Sequence, residues 1–126
     1  MAIIWLNKKH KEGIATLCSK SITLNKAMIS DFDGIDRVMV GFDEQKKNLL
    51  IKPLSGNELA RGDIDEDSIY KISINSTYVR LTSKPIIEEI NKIFDIGLIN
   101  KSIKKFKTSY DERDKIVIID LKEEVE

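Results

Sequence analysis

Apolar residues alternate with polar ones in short runs along most of this chain, and the runs are separated by polar turns. Ile14-Ala15-Thr16-Leu17-Cys18 and Ser21-Ile22-Thr23-Leu24 read as strands around a Ser19-Lys20 turn, with Ile22 and Leu24 on one face. Asn25 then supplies an N-cap for a short helix over residues 26–32, on which Ala27, Met28, Ile29 and Phe32 form one apolar face. Asp33-Gly34 ends it. Residues 37–42 and 48–54 read as a hairpin across the polar connection 43–47, and Pro53 closes its second strand.

Residues 55–68 are polar, acid-rich and without sustained periodicity, which predicts a linker in which Leu59-Ala60 seeds at most one helical turn. Alternation resumes from Ile69 through Tyr70-Lys71-Ile72-Ser73-Ile74, and Tyr78-Val79-Arg80-Leu81 extends or re-pairs that strand. Ser83 and Pro85 mark a helix start, because proline is tolerated in a first turn whose amides have no helical partner. Ile86, Ile87, Ile90, Ile93 and Phe94 fall on one stripe opposite Glu88, Glu89, Asn91 and Lys92, and Gly97 supplies the stop. Two strands follow, over 102–110 and 115–121, around Asp111-Glu112-Arg113-Asp114.

The two halves share an order of elements. Ile22-Thr23-Leu24-Asn25 matches Ile72-Ser73-Ile74-Asn75, Phe42-Asp43-Glu44 matches Tyr110-Asp111-Glu112, and Leu49-Leu50-Ile51 matches Ile116-Val117-Ile118. The expectation is an α+β fold in which residues 1–126 form a single domain of two βαββ-like repeats, at about 14–54 and 69–121, joined by the acidic linker 55–68. One short helix cannot cover the sheet face of such a unit. Two copies about a pseudo-twofold axis would therefore form a compact barrel or interlocked sheets with peripheral helices.

Composition narrows the class. The 126 residues are 41% hydrophobic and 33% charged, enough apolar surface to offset the entropy of ordering. The isoleucine- and lysine-rich usage points to an AT-rich, bacterial source. Twenty-one basic residues balance twenty-one acidic ones, so there is no overall field for a polyanion and nucleic-acid contact would need a local patch. Cys18 is the only cysteine, which excludes an intramolecular disulfide and suits a reducing compartment. The opening run Met1 to Leu6 is too short for a signal peptide, and no segment reaches the roughly 20 apolar residues that span a bilayer, so the expectation is a cytoplasmic protein without membrane contact.

The stretches Ile22 to Ala27, Val38 to Asp43 and Leu50-Ile51-Lys52-Pro53, with Tyr110, Asp111 and Ile116 to Leu121, resemble uncharacterised bacterial proteins of about this length. More distantly, the first half resembles the swapped-hairpin domain of AbrB-type transition-state regulators, in which a strand, a short helix and two strands end in an Ile-Lys-Pro-like sequence. That resemblance implies a dimer of interlocked hairpins and DNA binding through basic residues. Here Asn25-Lys26 stands where that family has Pro-Lys, and Ser19-Lys20-Ser21 replaces its arginine-bearing entry.

Candidate chemistry is sparse. His10 lies in a charged run, Cys18 in a predicted strand where a small core role is expected, and no spacing supplies a carboxylate to complete a nucleophilic set. Asp63-Ile64-Asp65-Glu66-Asp67 lacks the glycine and the terminal glutamate of a calcium loop and reads as exposed acid. The six glycines, Gly13 and Gly41 among them, are isolated and read as turn or cap positions. No catalytic set, metal site or cofactor is expected.

The densest basic clusters are Lys101, Lys104, Lys105 and Lys107 near Phe106, and Lys8, Lys9 and Lys11. Together they are the candidate nucleic-acid surface, with Phe106 or Tyr110 stacking on a base, although strand geometry sends Lys104 and Lys105 to opposite faces. The functional expectation is a DNA-associated regulatory domain of swapped-hairpin type. Its alternative is a non-enzymatic interaction or accessory module with a protein partner or a homodimer.

Overall fold

The structure is a computed structural model that describes Ile3 and residues 13–97 and 103–125. Nine strands form one antiparallel sheet: β1 (Gly13–Leu17), β2 (Ser21–Asn25), β3 (Arg37–Asp43), β4 (Asn48–Pro53), β5 (Tyr70–Lys71), β6 (Ser73–Ile74), β7 (Tyr78–Thr82), β8 (Lys104–Asp111) and β9 (Ile116–Val125). Their order across the sheet is β5-β3-β4-β9-β8-β1-β2-β7-β6. The two edge strands, β5 and β6, are separated in the chain by Ile72 alone, so the sheet curls until its ends meet within one segment. The result is a nearly closed barrel. Such curling shortens the exposed edges that would otherwise invite pairing with other chains, without removing them entirely.

Alternation explains why these segments are strands. Gly13, Ala15 and Leu17 of β1, Ile22 and Leu24 of β2, Leu49 and Ile51 of β4, Phe106 of β8, and Val117, Ile119 and Leu121 of β9 all point inward and are buried. Each such aliphatic or aromatic side chain contributes about 1.5–3 kcal/mol when fully buried. Both barrel ends are stoppered. A 3-10 helix, Lys26–Phe32, follows β2 and inserts Met28 and Phe32 at one end. At the other end α2 (Lys84–Phe94), which follows β7, buries Ile86, Ile87, Ile90 and Phe94.

The α+β class with βαββ repeats is corrected by this arrangement. Of the described residues, 46% are in strands and 24% in helices, and the helices serve as end plugs rather than a layer. Alternation identifies strands but carries no information on whether the sheet they form stays open or closes on itself. The proposed match of Ile22–Asn25 with Ile72–Asn75 also has no structural counterpart: β2 is paired along its length with β1 and β7, whereas Ile72 falls in the break between β5 and β6. The likeness of Phe42–Glu44 to Tyr110–Glu112 has a local cause. Both run into hairpin turns in which an aspartate accepts from turn amides, Asp43 Oδ1 from Lys46 N at 3.2 Å and Asp111 Oδ1 from Arg113 N at 2.9 Å.

Strand pairing interleaves the halves. β1 pairs β8, β2 pairs β7, β4 pairs β9 and β3 pairs β5, so neither half holds its own sheet. The segment read as a linker is partly ordered: α1 (Gly56–Ala60) opens with a capping box in which Ser55 Oγ accepts from Glu58 N at 3.2 Å and the Glu58 carboxylate accepts from Ser55 N at 3.1 Å. A 3-10 turn, Glu66–Ser68, then leads into β5. Asn25 occupies the N-cap position predicted for it, but its Oδ1 accepts from Ile14 N at 3.1 Å and so ties the plug's start to β1. No helix among the described residues is long and apolar enough to cross a membrane.

Candidate functional site

The lysines of β8 are the described part of the predicted nucleic-acid surface; Lys8, Lys9, Lys11 and Lys101, like His10, lie outside the described residues. Lys105 and Lys107 point outward, as alternation requires, and Phe106 between them is 2% exposed inside the barrel. A buried ring cannot stack on a base. Lys104 sits half-buried at the strand's start, 3.3 Å from the Glu124 carboxylate, and Lys107 lies opposite Asp120 across the β8–β9 ladder. Tyr110, the other candidate stacking ring, is half-buried, and its phenol is pushed up by burial and by the carboxylates of Asp31, Glu112 and Asp111. Acidic groups thus face Lys104 and Lys107 from the neighbouring strand and lie around the Tyr110 ring.

Cys18 is not the core residue expected. It is half-buried in the turn after β1, with Sγ 3.1 Å from Ser21 Oγ. That hydroxyl holds the thiol below its ordinary value, with help from the Lys20 and Ser21 backbone and the Arg80 charge, while burial opposes the shift. Among the described residues no group of three or more histidines, cysteines and carboxylates is placed to hold a metal ion.

The structure brings together a different set of residues, on the wall where the barrel fails to close. β5 pairs with β3 only at Arg37 and Val38, and upstream of Tyr70 the chain leaves the sheet in the 3-10 turn. Beyond Val38, β3 has a ladder partner on one side only among the described residues, namely β4. Arg37 accepts a bond from Leu54 N and so faces β4. By the alternation of an antiparallel ladder, Met39, Gly41 and Asp43 also turn their backbone groups to β4, and Val40 and Phe42 turn theirs to the open edge.

A groove of about 320 Å³ runs along that edge, at the low end of ligand-site volumes. Val40 and Phe42 form one wall, Tyr70 of β5 one end, and Pro85, Ile86 and Glu89 of α2 the opposite wall. Phe42 is 45% exposed, yet its ring is held edge-on to Phe94 with centroids 5.8 Å apart and planes at 88°. An aromatic fixed from behind and open in front is a ready contact surface. Glu89 is the groove's one ionisable carboxylate, exposed and without an ion pair among the described residues, whereas its neighbour Glu88 lies 3.8 Å from Lys84. A wider depression of about 640 Å³ lies at the other end of the barrel, against residues 33–36 and Ile74 of the short edge strand β6.

None of these groove residues was singled out from the sequence as functional. The available signal was Gly41 inside an apolar run: a glycine in mid-strand marks a place where another backbone can approach closely, and this one sits in β3 rather than in a turn or cap. No family model, curated protein or solved structure matches the chain.

Proposed function

We propose that this chain is a protein-interaction module that docks an apolar segment of a partner in the groove between β3 and α2. The observation that carries the reading is the half-exposed Phe42, braced by Phe94 on the wall of an apolar groove beside a strand edge that is unpaired among the described residues. Large apolar side chains clustered at a concave surface mark interaction sites on folded domains. The DNA-associated reading has less behind it, because Phe106 is buried and Lys104 is paired with Glu124. A cytoplasmic setting suits the free Cys18 thiol.

Selection of a random peptide display library on the purified chain tests the reading. Wild type should enrich a consensus whose binding weakens at least about tenfold in Phe42→Glu, a loss of the size expected for a central aromatic contact. Circular dichroism would confirm that the variant is folded. Ligands that bind Phe42→Glu as well as wild type, or a library that enriches nothing, would overturn it.

A further inference from the structure

We infer that the groove captures its partner by strand addition: an extended segment pairs with the open edge of β3, continuing the line of β5, and turns a lysine or arginine toward Glu89. The inference rests on the partner-docking reading above and names the partner's conformation and charge. The backbone supports it first. Val40 and Phe42 each present an N–H and a C=O to the same edge, spaced as a ladder requires, and β5 already occupies the adjoining positions opposite Arg37 and Val38. An added strand would therefore extend a pairing line the fold has started and then abandoned at the 3-10 turn Glu66–Ser68.

Side chains supply the rest. Val40 and Phe42 share the strand face that lines the groove, so alternate residues of an added strand would fall between them and Ile86 and would need to be apolar. Glu89 is exposed and opens onto this otherwise apolar space with no ion pair among the described residues. The chain that delivers Tyr70 to the groove's end carries Asp63, Asp65, Glu66 and Asp67, all exposed. A polyanion or an acidic peptide would meet like charge, whereas an apolar-and-basic segment meets complementary charge, which favours encounter and register.

The test uses the full chain, labelled with nitrogen-15, and short blocked peptides that alternate valine with lysine. The expected result is chemical-shift change at Val40, Gly41, Phe42 and Glu89. Replacing the peptide's lysines by glutamate, or methylating the backbone nitrogens that would face β3, should each weaken binding about tenfold or more. Glu89→Gln should reduce the preference for lysine over glutamate while leaving the sensitivity to N-methylation.

If display-selected ligands perturb the groove but tolerate N-methylation and charge reversal, strand addition is wrong and partner docking stands. If neither the alternating peptides nor any selected ligand perturbs the groove, both fall. Shifts centred on Lys105 and Lys107, or a concentration-dependent dimer in which two copies of β3 pair edge to edge, would also overturn the inference.

Discussion

Gly13→Ala probes how tightly the 3-10 plug is seated against the barrel wall. A methyl group built at Gly13 would lie 2.5 Å from Met28 Sδ and 2.6 Å from the Thr108 carbonyl oxygen. The two neighbours differ in what they can yield. Met28 is a flexible side chain, although 4% exposed, whereas the Thr108 carbonyl is fixed opposite Gly13 in the β1–β8 ladder. The backbone of Gly13 is not in the left-handed region, so alanine gains about 0.5–1 kcal/mol from reduced freedom of the unfolded chain.

Overpacking a filled interior costs about 1–3 kcal/mol, and a contact this short against backbone belongs in the upper half of that range. The net expectation is a loss of about 1–2 kcal/mol, or a melting temperature about 4–8 °C lower for a domain of this size. Urea unfolding of Gly13→Ala, Met28→Ala and the double variant measures it. In the Met28→Ala background the Gly13→Ala penalty should shrink by about half without vanishing, because the Thr108 carbonyl remains. A neutral or stabilising Gly13→Ala, or strict additivity in the double variant, would refute the packing argument.

Three further outcomes follow from local geometry. Asp31 has its carboxyl pushed up by burial and then by Glu112; the raised folded-state value disfavours the folded state once the group ionises, so Asp31→Asn should stabilise at neutral pH. That gain should fade as pH falls below the unfolded carboxyl range, and a gain constant with pH in thermal melts would contradict it. Ser55→Ala removes one bond of the α1 capping box and should cost about 0.5–1 kcal/mol in chemical denaturation, with no loss counting against the box. Ser21→Ala should move the pH profile of Cys18 alkylation to higher pH, since the Ser21 hydroxyl is the first cause of the lowered thiol value; an unmoved profile would remove that cause.

What could be read from the sequence was local. Ser83, Pro85 and the Ile86–Ile87–Ile90–Phe94 stripe predicted α2 with its cap, Ser83 Oγ accepting from Ile86 N at 3.4 Å. The β3–β4 and β8–β9 hairpins were also legible, because turn chemistry and alternation lie within a few residues of each other. What was not legible depends on distant pairing. Nothing near Tyr70 to Ile74 announces that two residues will pair with β3 and two with β7, and that division closes the barrel.

The same division explains the groove. Tyr70 pairs with Val38, the residues just before it lie outside the sheet, and α2 arrives from Thr82 to wall off the gap. Phe42 read as an ordinary strand residue because its exposure is set by the lack of a second ladder partner for its stretch of β3 among the described residues. Phe106 read as available because its burial is set by the curvature of the sheet around it.

Amide hydrogen exchange along β3 tests the incompletely closed barrel most directly. Met39 and Gly41, bonded to β4, should exchange at least about a hundredfold more slowly than Val40 and Phe42, whose amides face the open edge. Protection of Val40 and Phe42 equal to that of Met39 and Gly41 in the free protein would mean that the edge is already paired, and the account of the groove would be wrong.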